Sequence, residues 1–237
     1  MPSNDTDRLG RLLARHQELH DPAREPRTGL RWLPELQRWQ AARLKVSFRH
    51  FLHDERRAPA AEFFLSDVYG DRDFTRRNAD IARVVPMMRR LLPKKLLGTV
   101  ADAIELGVVT QELDLRMAEA LETLAPRRRK LDDALYGEAY RRVGEGPQRE
   151  RQIALIGRVG RGFGKALQMP GVAALLAFSR GPARLAGLGE LQGFLERGYA
   201  AFESLDDAAA FVDEIERDER EVSRRLFAGD DAPFEFG

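Results

Sequence analysis

Four histidines stand in two pairs, His16/His20 and His50/His53, at i, i+4 and i, i+3. On a helix those spacings put both imidazoles of a pair on one face, the arrangement that a transition metal or haem accepts. A joint four-histidine site fails on distance. If the first two helices form an antiparallel hairpin, His20 lies near its turn, whereas His50 follows residue 28 by 22 positions, about 33 Å along a helix axis. Each pair alone lacks a second contributor legible in the sequence. The histidines therefore read as surface or half-buried side chains, and no metal ligand is assigned.

Other chemistries fail on single positions. A di-iron centre in a helical bundle needs Glu-x-x-His on two helices, but Leu13, Gln17, Ser47 and His50 stand three residues before the four histidines. The segment Asp71-Arg72-Asp73-Phe74-Thr75-Arg76 begins like a calcium loop, yet Arg76 takes the place of the turn glycine and Ala82 that of the bidentate glutamate. Tyr69, Asp71, Arg72 and Asp73 thus read as a turn behind a helix that Gly70 ends, with an anionic-ligand pocket as the alternative. There is no cysteine, which removes disulfides, thiolate catalysis and cysteine-ligated metal. No Gly-x-Ser-x-Gly occurs, and none of the six serines adjoins a histidine. No catalytic residue is assigned.

The stretch "GRVGRGFGK", residues 157–165, has the glycine density of a phosphate loop. Val159 and Ala166 break the Walker pattern, Leu167 breaks the dinucleotide pattern, and no strand precedes it. What remains is Gly157, Gly160 and Gly164 on one side of a helix, where a neighbouring backbone or a flat ligand can come close. Helix packing is the favoured reading. The alternative is a small ligand, haem above all, held against these glycines with His16 or His20 as partner, as in haem-oxygenase-like bundles.

Helices must position all of these residues, because helical periodicity dominates and alternating strand patterns are missing. The expected fold is all-α, a compact bundle of about eight to ten helices without a sheet. It forms one domain over 1–237, with 1–28 a loosely packed N-terminal helix and 228–237 a flexible tail. Helices are expected at 5–20, 29–56, 59–69 and 78–92, then from Pro93 onward with an interruption at Gly107. The rest fall at 131–143, 147–168, 171–180, 187–203 and 206–227, the last capped by Ser204 with Asp207 in the capping-box position. Thirty-nine basic and 38 acidic side chains nearly cancel, so the overall field does not favour nucleic acid. The N-terminus lacks the apolar core of a signal peptide, and "GVAALLAF" at 171–178 is too short to cross a bilayer.

The motifs "FFLSDVYGDRDF", "RQIALIG" and "GLGELQGFLERGYAAF" together resemble an uncharacterised family of bacterial proteins over nearly the whole chain. The resemblance implies no activity, cofactor or catalytic residue. The resulting expectation is a non-enzymatic cytoplasmic binding or regulatory protein that acts through protein contacts or as a homodimer. Its alternative is the haem- or small-ligand-binding bundle.

Overall fold

A single helix of 31 residues, Lys94–Leu124, runs through the fold and organises it. The computed structural model describes residues 4–68 and 94–235, and among these there are ten α-helices and no strand. In chain order they are α1 (Asn4–His20), α2 (Trp32–Ser47), α3 (Arg49–Leu52), α4 (Ala58–Phe63), α5 (Lys94–Leu124), α6 (Asp133–Val143), α7 (Gly146–Leu167), α8 (Val172–Leu185), α9 (Gly189–Glu203) and α10 (Ala208–Ala228). Helices α1, α2, α6 and α7 lie against α5, α10 packs on α6 and α7, and the α8–α9 hairpin reaches α4 and α7. The helix expected at 78–92 lies outside the described residues, as do Tyr69, Gly70, Asp71, Arg72 and Asp73. No helix among the described residues is long and apolar enough to cross a membrane.

Helix α5 passes Gly107 without the expected interruption. A lone glycine costs a helix about 1 kcal/mol against alanine, which packing along a long helix readily offsets. Its bare backbone instead admits α1, for a Cβ at Gly107 would lie 3.5 Å from Cδ2 of His16. The first helix is packed as well: Leu9 and Leu19 are buried, Arg8 pairs with Asp102 and Glu105, and Arg15 pairs with Glu112. At the other end Phe234 is buried against Trp39 and Tyr136.

The long helix expected at 29–56 breaks at Phe48. On either side of the break, Phe48 and Phe51 both enter an aromatic cluster with Phe63, Phe64, Phe202 and Phe211. The Asp54 carboxylate accepts the backbone N–H of Arg56 at 3.0 Å and closes the following turn. Pro34 sits in the first turn of α2, where its missing N–H has no intrahelical partner to lose. After α4 the chain widens into a π turn over Phe64–Val68. Asp67 is buried there and accepts from Arg197 at 2.6 and 2.9 Å.

Asp207, rather than Ser204, caps α10, accepting from Ala209 N–H at 3.0 Å and Ala210 N–H at 2.9 Å. Ser204 ends α9 instead, its hydroxyl donating to the carbonyls of Ala201 and Arg56. The carboxylate complements the positive end of the helix better than a hydroxyl does, which moves the cap three residues along. A second core, around Trp32, Leu36, Leu115, Leu121, Tyr136 and Leu226, joins α2, α5, α6 and α10.

Candidate functional site

The histidines and glycines singled out by sequence face different helices. His16 and His20 stack with ring centroids 4.3 Å apart, and His20 Nδ1–H donates to the His16 carbonyl at 2.8 Å. His16 lies over Gly107 of α5. Gly157, Gly160 and Gly164 on α7 face α10. A Cβ at Gly157 would collide with the Glu216 carboxylate, one at Gly160 would lie 2.6 Å from a Val212 methyl, and one at Gly164 would lie 3.3 Å from Ala208. Helix α10 therefore fills the room that a flat ligand would need above Gly157 and Gly160.

Polar groups also converge inside the bundle, on five helices. Asp114 of α5 is buried and accepts from Gln40 of α2 at 3.1 Å. Burial pushes its carboxyl up to about 6, against the opposing pull of the Gln40 hydrogen bond and the Arg149 charge. Arg149 of α7 is buried too, with its guanidinium 4.4 Å from the Tyr140 ring centroid, and its Nε and Nη2 make no hydrogen bond. Tyr140 of α6 shares a 2.8 Å hydrogen bond with Ser223 of α10, and burial raises its hydroxyl to about 12. Asp114, Arg149 and Tyr140 are all buried. The arrangement is a buried polar layer that ties five helices together.

Near the surface, α3 meets α10. His50 Nε2 lies 3.3 Å from Glu214 Oε1 and 4.0 Å from Asp218 Oδ2, and the three donor atoms lie within 4.8 Å of one another. The partner missing from the sequence reading of the histidines is thus supplied by the last helix. Residues Glu214 and Asp218 share a face of α10 at i, i+4, a spacing visible in the sequence. His50 stands in α3, just past the break at Phe48.

The most exposed apolar surface belongs to α8, none of whose residues is buried. Leu175 is 60% exposed, Phe178 83% and Leu185 93%. With exposed Pro182 they form one stripe at spacings of three, four and three residues, the seam along which two helices interdigitate. Leu176, Ser179 and Ala183, on another side of α8, are half-buried. The sequence pattern predicts a helix over 171–180 that is too short for a membrane; the helix runs on to Leu185, and the signal for its exposure is the continuation of the seam past Gly181-Pro182.

No curated protein and no solved structure matches the chain. A family model does, over residues 19–233, from the end of α1 to the docked tail, and so covers the α3–α10 junction and the exposed seam alike. The chain belongs to that family, which is described as a domain of unknown function (DUF8198).

Proposed function

We propose that the chain is a non-enzymatic binding or regulatory protein of the cytoplasm that acts through protein contacts, and that a second copy of itself docks on α8. The observation that carries this reading is the uncovered Leu175–Phe178–Pro182–Leu185 stripe. Its spacing is palindromic. Antiparallel pairing of two α8 helices about residue 180 sets Leu175 against Leu185 of the partner and Phe178 against its Pro182, the self-complementarity that a two-fold dimer requires. Arg180 points away from the seam and is held by Glu196 at 2.6 Å, so it does not oppose its own copy. Six large side chains buried at about 1.5–3 kcal/mol each stand against an association cost of about 4–15 kcal/mol. The two ranges overlap, so docking is expected to depend on protein concentration. Absence of cysteine suits a reducing compartment.

The haem- or small-ligand-binding alternative needs room above Gly160 that Val212 occupies. Sedimentation equilibrium tests the dimer. Wild type is expected to dimerise at tens of micromolar, and Phe178→Asp and Leu185→Asp to be monomeric with unchanged far-ultraviolet circular dichroism. A monomer at every concentration overturns the reading. So does α8-dependent binding to neutral lipid vesicles by a chain that stays monomeric, since the stripe would then face a membrane surface.

A further inference from the structure

We infer that His50, Glu214 and Asp218 bind a divalent first-row transition-metal ion of the zinc class, which bridges α3 to α10. Two ligands held 2.0–2.2 Å from one tetrahedral ion lie about 3.3–3.6 Å from each other. The 3.3 Å between His50 Nε2 and Glu214 Oε1 already meets that edge, and the 4.0 Å to Asp218 Oδ2 needs only a small side-chain rotation. Convergence extends to the individual atoms. Each carboxylate turns one oxygen toward the imidazole and gives the other to an arginine: Glu214 Oε2 accepts from Arg57 Nη1 at 2.9 Å, and Asp218 Oδ1 faces Arg217 Nε at 3.5 Å. Such outer contacts orient monodentate ligands around metals.

The charge suits a dication. Arg57 is shared with Asp54 at 3.6 Å, so three carboxylates face two guanidiniums and one negative charge is left over. One imidazole with two carboxylates favours zinc-class ions over calcium or magnesium, and the lack of thiolate disfavours copper(I). His50 is 45% exposed, which lets water complete the coordination sphere. Bound metal would pin the bend that follows α2 to the last helix. The site is independent of the dimer, because neither α3 nor α10 belongs to the α8 stripe.

Zinc chloride titrated into the full chain and followed by calorimetry tests the site, with cobalt(II) absorption as a second probe of coordination. The expected result is one saturable ion per chain, an affinity at least tenfold lower in both His50→Ala and Glu214→Gln, and no change in His16→Ala/His20→Ala. At a hundredfold excess over Kd, zinc is expected to raise the wild-type melting midpoint by about 5–10 °C and to leave that of His50→Ala unmoved. Should His50→Ala fail to fold, the near-isosteric Asp218→Asn carries the same expectation of at least tenfold weaker binding. Absence of saturable binding overturns the site, as does zinc binding that survives in the folded variant. Half an ion per chain overturns it as well, since an ion bridging two copies is a different site.

Discussion

Gly160 lies so close to Val212 that a Cβ added to the glycine would sit 2.6 Å from one valine methyl and 2.8 Å from the other. Val212 is fully buried at the crossing of α7 and α10 and cannot swing into solvent. Gly160→Ala is expected to cost about 1–3 kcal/mol by overpacking. The cost should shrink in a Val212→Ala background, where the methyl groups are gone. Urea unfolding of the four members of this cycle gives the coupling, and equal costs in both backgrounds would show that the glycine is not a packing residue.

The same substitution has the opposite sign at Gly107. A Cβ there reaches ordinary van der Waals contact with His16 and, among the described residues, meets no other side chain within 4 Å. Gly107→Ala is expected to stabilise by about 0.5–1 kcal/mol, through helix propensity and a less flexible unfolded chain. A lower urea midpoint would mean that α1 is displaced.

Asp114 gives a pH signature. Its folded pKa is about 6 against an ordinary 3.8, so the native state holds this proton more tightly than the unfolded chain does. The contribution of the carboxyl to stability is therefore full below about pH 4 and is lost as pH rises through 6, a decline on the order of 3 kcal/mol. Glu105 acts the other way: burial is outweighed by hydrogen bonds from Arg8 and Arg151, which hold its carboxyl below the usual range, so its contribution is lost on acidification. The difference in unfolding free energy between wild type and Asp114→Asn isolates the first effect. It should move against wild type between pH 4 and pH 6, and a flat difference would place the Asp114 carboxyl in water.

Helix existence was legible in the sequence because heptad-scale periodicity survives without tertiary information. From Asp133 onward, the helix starts fall within about two residues of the positions read from pattern and caps. The breaks were not legible. Nothing local marks the break at Phe48, and the aromatic cluster that Phe48 and Phe51 join is built by residues up to 163 positions away. The histidine pairing fails for the same reason: His50 meets its carboxylates only after the chain has folded back through α10. The close packing of Gly157, Gly160 and Gly164 was the favoured reading, and it is what their surroundings show.

Both tryptophans of the chain, Trp32 and Trp39, belong to the core that α2 forms with α5 and α6. Among the described residues, the phenylalanine cluster around α3, α4 and α9 contains neither tryptophan nor tyrosine. Intrinsic tryptophan emission therefore reports on one half of the interior, and the other half is silent in that emission. Helix α10 threads both, with Phe211 and Ile215 in the silent half and Val222 and Leu226 in the emitting one. Whether fluorescence and backbone dichroism melt together is thus a direct reading of how firmly that one helix couples the two cores.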